Sequence, residues 1–364
     1  MEELRIPGPT PIPGEILETL SQQMINHRGP KFEQMLTGVT DKLKQMFQTK
    51  NDVFLLTGSG TGGLEAAVVN VLSPGDKVLA ISIGVFGDRF ATIARQFGAE
   101  VIPLNFEWGK AADPDSIRKA LEADPEIKAV LVTHNETSTG VTNDLAAISA
   151  VVKEFDKLLL ADTVSSLGSI NVPIDEWKLD VAITGSQKGW MAPPGLAMVA
   201  VSGNAWQAHA KAKMPRFYWD FSRAKSYLER SQTPWTPAIT AVFALSAALD
   251  VMLKEGLSKI IARHARVAKT ARDGAKALGL PLFAEESHAS NTVTAVASAN
   301  GLDTKKMLDI LRDEHQMILG GGQQKLDGQI FRIGHLGWVN EDDIKTVLSV
   351  LKVVLPQAGF GSVK

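Results

Sequence analysis

A lysine stands in a turn of small residues, Thr184-Gly185-Ser186-Gln187-Lys188-Gly189-Trp190, directly after an apolar run that reads as a buried strand. Ligands of parallel sheets collect outside the carboxyl ends of the strands, which is where Lys188 falls. The ordinary reading is a solvated surface lysine. A partly desolvated lysine instead has a depressed pKa and attacks aldehydes as a neutral amine. Asp162 occupies a matching position in Leu158-Leu159-Leu160-Ala161-Asp162-Thr163-Val164-Ser165-Ser166. It either caps the next segment or, beside Lys188, serves as a buried carboxylate facing a protonated ring nitrogen. A third strand end carries Leu56-Thr57-Gly58-Ser59-Gly60-Thr61-Gly62-Gly63-Leu64-Glu65-Ala66-Ala67. This glycine-rich turn opens a helix, whose free N–H groups and dipole suit phosphate. It lacks the Gly-Lys-Ser/Thr ending of a nucleotide-binding loop, which disfavours ATP.

The elements that must position these residues follow from pattern. Apolar, β-branched runs at 52–57, 77–82, 100–105, 127–133, 157–163, 180–185 and 196–201 alternate with amphipathic segments at 88–97, 115–122 and 143–155. Such alternation predicts βαβ units around a mostly parallel sheet with helices on both faces. From Asn204 to Trp235 the rhythm breaks, and that stretch reads as an excursion toward a partner or the site. A helix near 236–255 and a longer one at 257–279 follow, then a strand at 292–296, a helix at 304–315, a strand at 330–333 and a helix at 341–354. The first fifteen residues, with four prolines, predict an extended arm. The expected division is an arm at 1–15, a large domain at 16–256 and a small α+β domain at 257–364, consistent with a chain longer than one usual domain.

Composition narrows the function. The chain has 364 residues, 45% of them apolar and 21% charged, with a formal net charge of −2. This describes an ordinary globular protein with no basic stripe for nucleic acid. Without a cysteine there is no disulfide, no thiolate metal site and no cysteine nucleophile, and no metal site is expected. An acidic beginning, Met1-Glu2-Glu3-Leu4-Arg5, and the lack of any long apolar run predict a cytoplasmic protein without membrane contact. Ser362-Val363-Lys364 is not a peroxisomal address.

Taken in order, the three motifs resemble the class V aminotransferases of pyridoxal-phosphate fold type I, particularly the alanine–glyoxylate, serine–glyoxylate and serine–pyruvate group. Pro7-Gly8-Pro9-Thr10, His27-Arg28-Gly29-Pro30, Thr133-His134-Asn135-Glu136-Thr137-Ser138-Thr139-Gly140 and Ile330-Phe331-Arg332-Ile333-Gly334-His335-Leu336-Gly337 extend the resemblance over nearly the whole chain. It implies an α/β fold, with a large domain built on a mostly parallel seven-stranded sheet and a small C-terminal α+β domain. It also implies pyridoxal 5'-phosphate as cofactor, in Schiff-base linkage to Lys188, with Asp162 at the pyridine nitrogen.

By the same resemblance, Ser59, Gly60 and Thr61 cradle the phosphate, with Gln187 as a further donor. Phe86 stacks on the ring, Val164 packs on its opposite face, and Thr137, or less readily Asn135, bonds the ring hydroxyl or the substrate. Thr233 and Thr236 belong to a loop that reaches the phosphate of a second subunit, which implies a homodimer with shared sites. Read without the resemblance, both threonines suit an N-cap before Pro237. Arg332, flanked by Phe331 and Ile333, is expected to bind substrate carboxylate in two parallel hydrogen bonds, with the Gly8 backbone touching the same group. Two positions depart from relatives: Thr61, where others carry histidine, and Gln324, where glycine is common.

The expected reaction is ping-pong transamination from alanine or serine to glyoxylate or pyruvate, with Lys188 as general base. Cysteine desulfuration is excluded by the missing cysteine. Phosphoserine transamination would need extra cations, for which His27, Arg28 and Arg332 are candidates. A non-catalytic accessory or binding protein on the same fold is the reading from another class.

Overall fold

The computed structural model describes residues 2–361. Among the described residues there are thirteen strands: β1 (Glu3–Arg5), β2 (Asp52–Thr57), β3 (Lys77–Ser82), β4 (Glu100–Asn105), β5 (Ala129–Thr133), β6 (Asn135–Glu136), β7 (Val141–Thr142), β8 (Leu158–Asp162), β9 (Val181–Gly185), β10 (Leu196–Val201), β11 (Val293–Ala297), β12 (Met317–Gly321) and β13 (Ile330–Gly334). Twelve helices lie among them: α1 (Gly14–Thr19), α2 (Pro30–Phe47), α3 (Gly60–Val71), α4 (Val85–Gln96), α5 (Pro114–Ala123), α6 (Leu145–Glu154), α7 (Gly203–His209), α8 (Phe221–Leu228), α9 (Ile239–Glu255), α10 (Leu257–Ala277), α11 (Thr304–His315) and α12 (Glu341–Gln357).

Seven strands form one sheet in the order β2-β10-β9-β8-β5-β3-β4. Only β10 runs against its neighbours. The inner strands β5, β9 and β10 are buried along their whole length, because both faces are covered and the alternation of a half-exposed sheet disappears. Alternate residues feed two separate cores. Val130, Val132, Leu159, Ala161 and Ala182 meet α2, α5, α6 and α9 on one side. Leu131, Leu160, Val181, Ile183 and Val199 meet α3, α4, α7 and α8 on the other. A parallel sheet held this rigidly presents the ends of β2, β3, β5, β8 and β9 along a single edge.

A four-stranded sheet, β1-β12-β13-β11, packs on its own core with α10, α11 and α12. The N-terminal arm is tied down within it, since β1 pairs in parallel with β12. Arg5 is buried and ion-paired with Asp343 at 2.9 Å. The expectation of an extended arm over 1–15 is corrected at its end, where α1 starts at Gly14. The helix expected from 236 begins at Ile239, with Ala238 at its N-cap; prolines at 234 and 237 keep the preceding segment out of the helix. Thr236 is exposed and does not cap it. The irregular stretch 204–235 holds α8 and all of α7 but its first residue. No helix among the described residues is long and apolar enough to cross a membrane.

The arm crosses β13 so closely that a Cβ on Gly334 would lie 2.1 Å from the carbonyl oxygen of Ile6. Gly334→Ala is therefore expected to push the arm outward and cost about 1–3 kcal/mol by overpacking. Thermal unfolding and the rate of trypsin cleavage after Arg5 measure this; an unchanged cleavage rate would contradict the close packing of the arm.

Candidate active site

Lys188 is fixed by what surrounds its turn. Trp190, fully buried, donates from Nε1 to Thr184 Oγ1 at 2.9 Å and packs on Phe47. Ser186 Oγ donates to Pro193 O at 2.6 Å. Gly189 leaves no room for a side chain, because a Cβ there would stand 2.4 Å from Ser169 Oγ. The arm closes over the lysine from above. Nζ donates to Pro7 O at 2.5 Å, while Thr10 bonds the turn at Gln187 O and Lys188 O. Gly8 lies against the lysine stem, where a Cβ would meet Nζ and Cδ at 2.7 Å, and its φ of 123° favours glycine besides. Burial lowers the Lys188 amine to about 8, with the Asp162 charge opposing the shift and those of Arg332 and Arg89 adding to it.

Asp162, at the end of β8, is 4% exposed. Its Oδ1 accepts from the Val164 backbone at 3.0 Å and its Oδ2 from the Thr133 hydroxyl at 3.4 Å. Burial pushes it up to about 6. No cation pairs with it among the described residues. A carboxylate in that condition is stabilised by an N–H⁺ donor from a ligand.

The segment after β5 organises the opposite side. Glu136 is fully buried, yet its Oε2 accepts from the N–H groups of Phe86 (3.0 Å) and Gly87 (3.1 Å), and its Oε1 from the Ser138 backbone (3.1 Å) and hydroxyl (2.6 Å). It thereby clamps the start of α4, on which half-buried Phe86 sits. Asn135 is excluded as a ligand contact because its side chain is already saturated. It donates to Ser165 and Thr292 and accepts from Thr142 and Ser290. Thr137 is buried beside it, and its carbonyl accepts from Arg332.

At the end of β2, α3 begins at Gly60 with Ser59 at its N-cap and no side chain bonding its first turn. Gly60 is required because Val164 presses against it; a Cβ would lie 2.6 Å from a Val164 methyl. Gln187 reaches the same place, and its buried Oε1 has no partner. An uncapped helix start and an orphaned amide fit an oxyanion ligand with a protonated oxygen or bridging water. Thr233 is buried, and its hydroxyl donates within its own loop to Trp235 O at 2.8 Å, whereas Thr236 is exposed.

Arg332 is 7% exposed on β13. It donates to Gly321 O (2.8 Å), Thr137 O (3.1 Å) and Gln323 Oε1 (3.1 Å). It has no carboxylate partner among the described residues, and burial lowers it to about 10. Three carbonyl-type acceptors aim the guanidinium without neutralising it, which leaves a site for a carboxylate. The second proposed contact of that carboxylate, Gly8, lies on Lys188 in this structure.

Pro7, Thr10, Glu136 and Gln323 were given no role from sequence. Only the folded chain shows which groups they touch. Gln324, marked as a departure, is exposed with a left-handed φ of 51°, a conformation glycine adopts freely; its neighbour Gln323 is the one that holds Arg332.

The sequence profile of the aminotransferase class-V family matches residues 7–327. The chain is 45% identical over 359 residues to a soluble hydrogenase 42 kDa subunit of Anabaena cylindrica, covering 98% of this chain and 94% of that protein. It is 37% identical over 361 residues to the L-aspartate–glyoxylate aminotransferase of Paracoccus denitrificans, covering 98% and 91%. The solved ureidoglycine–glyoxylate aminotransferase of Bacillus subtilis superposes with a TM-score of 0.94 at 30% identity, covering 100% of this chain and 95% of that one.

The depressed Lys188 amine sets a pH dependence. Below its pKa the group is an ammonium and does not attack an aldehyde. In cofactor-free protein, the initial rate of pyridoxal phosphate capture is expected to rise with pH and level off above about 8 rather than climb toward the ordinary lysine value of 10.5. Asp162→Asn removes a charge that favours the ammonium and should move the midpoint lower. Rapid-mixing absorbance measures both, and a rate still climbing at pH 10 would refute the desolvated amine.

Proposed function

This chain belongs to the class-V aminotransferase family, and from that premise we propose that it moves the amino group of alanine or serine to glyoxylate or pyruvate by ping-pong turnover. Its fold is the pyridoxal-phosphate fold type I, and pyridoxal phosphate is its cofactor. The observation that carries the substrate reading is Arg332, a buried guanidinium aimed by three acceptors, lacking a carboxylate and acting electrostatically on Lys188.

Bound pyridoxal phosphate supplies an aldehyde for amino exchange and a ring that accepts the electron pair left at Cα. In this proposal Ser59, Gly60, Thr61 and Gln187 hold the phosphate, while Phe86 and Val164 flank the ring. Asp162 keeps the proton on the ring nitrogen, with Thr137 near the ring hydroxyl. Arg332 grips the substrate carboxylate in two parallel hydrogen bonds, which aligns Cα with the lysine. Lys188, its amine lowered to about 8, would take the Cα proton as general base and hold it for return to the cofactor. The arm, bonded to the Lys188 turn through Pro7 and Thr10, excludes water and favours a short substrate side chain. The return half uses the same groups in reverse order.

A cytoplasmic homodimer, with Thr233 and Thr236 serving the partner's phosphate, belongs to the same proposal. So does the division into an arm at 1–15 and domains at 16–256 and 257–364. Arg28, a candidate cation for the phosphoserine reading, donates to Gln232, Thr233 and Pro234 of the loop before α9. A relative named as a hydrogenase subunit suggests a non-catalytic role. Intact Lys188, Asp162 and Arg332 favour turnover.

The test is the absorption spectrum of cofactor-loaded protein before and after L-alanine, L-serine or L-aspartate, with no oxo acid present. Alanine or serine is expected to replace the visible band by that of the pyridoxamine form; Lys188→Ala should show no such conversion. A response to aspartate alone would move the substrate, and no response to any amino acid would sink the enzymatic reading. Arg332→Gln should lower kcat/KM roughly a hundredfold, since removing a buried charge partner costs about 3 kcal/mol. Steady-state kinetics would contradict the assignment if the variant kept wild-type kcat/KM.

A further inference from the structure

The cradle at the start of α3 is electrically incomplete. Ser59, Gly60, Thr61 and Gln187 offer only neutral donors. A helix start contributes the equivalent of about half a charge, whereas a phosphate ester carries close to two negative charges at neutral pH. Lys188 would be taken up by the aldehyde of the bound cofactor, and Arg332 is turned toward Gly321, Thr137 and Gln323.

One further cation stands at the cradle. Arg89 lies one turn into α4, three residues after Phe86. Its Nη1 donates to Thr61 Oγ1 at 3.4 Å, and its guanidinium carbon is 4.7 Å from the centre of the Phe86 ring. The side chain is exposed and makes no ion pair among the described residues. The nearby carboxylates are otherwise engaged, Asp88 with the Ser82 hydroxyl at 2.6 Å and Glu65 with Trp219 Nε1 at 2.8 Å. Its charge is also felt at Lys188. A planar guanidinium stacked on an aromatic ring is held in one orientation, which an ammonium would not be.

We propose that Arg89 is the charge partner of the cofactor's phosphate, poised beside Thr61 and kept in place by its stack on Phe86. The inference rests on the assignment of Ser59, Gly60 and Thr61 as the phosphate cradle. Its consequence is selective: Arg89 stabilises the phosphorylated cofactor far more than pyridoxal, which has the same ring and aldehyde but no phosphate.

The experiment titrates cofactor-free wild type, Arg89→Gln and Arg89→Lys with pyridoxal phosphate and with pyridoxal, reading dissociation constants from tryptophan fluorescence and absorbance. Thermal unfolding of each variant checks that the fold is intact. Arg89→Gln should weaken pyridoxal phosphate about tenfold, as expected for loss of a hydrogen bond to a charged group, and leave pyridoxal nearly unchanged. Arg89→Lys should fall between. Equal weakening of both ligands would overturn the proposal and show that Arg89 acts only through Phe86. No weakening of either would overturn it by placing the balancing charge elsewhere. If wild type itself does not prefer pyridoxal phosphate to pyridoxal, the cradle assignment fails first, and the role of Arg89 with it.

Discussion

Lys188, Asp162 and Arg332 are withdrawn from water at the ends of β9 and β8 and on β13, and none of them has an ion-pair partner among the described residues. Uncompensated burial of an ion costs several kcal/mol even after relaxation. The chain meets that cost with backbone and side-chain dipoles rather than counter-charges. Lys188 has the Pro7 carbonyl, Asp162 has the Val164 N–H and the Thr133 hydroxyl, and Arg332 has two carbonyls and an amide oxygen. On the proposed reading, a protonated ring nitrogen would supply the counter-charge of Asp162 and a substrate carboxylate that of Arg332. On that reading the cofactor would enter a site already organised for it.

The scaffold explains how such a site stays ordered. Buried parallel strands bring their carboxyl ends to one edge, and each end carries a functional turn: 58–61 after β2, 84–87 after β3, 135–138 after β5, 162–164 after β8 and 186–189 after β9. Glu136 ties the turn after β5 to the one after β3. Val164 ties the turn after β8 to the cradle after β2, through its contact with Gly60. The arm then joins the large sheet's edge to the four-stranded sheet that carries Arg332, since β1 pairs with β12 while Pro7 and Thr10 bond the Lys188 turn. Arg332 and Lys188, the groups proposed to bind the substrate and to carry the chemistry, are therefore linked through a short piece of backbone.

Much of this was legible from sequence because buried parallel strands are apolar throughout and end abruptly at polar or glycine residues. Asp162 and Lys188 stand out for that reason, and the large-sheet strands fall within two residues of expectation. The strand β12 was missed because its last two residues are glycines, and β1 because three residues of an arm carry no periodicity. The start of α9 was placed early, at a threonine and proline that mimic a cap. Asn135 and Glu136 show the deeper limit: adjacent polar residues of one motif, they differ in use because Asn135 meets Ser165, Thr292, Thr142 and Ser290 while Glu136 meets the start of α4. Such partners lie far along the chain and appear only on folding.

The central claim, that Lys188 is the residue to which the cofactor attaches, is tested most directly by borohydride reduction of the cofactor-loaded protein followed by peptide mapping. Reduction makes the cofactor–amine bond permanent. The account predicts one phosphopyridoxyl group per chain, on the peptide containing Lys188. A label on another lysine, or none on a folded and cofactor-saturated protein, would contradict it.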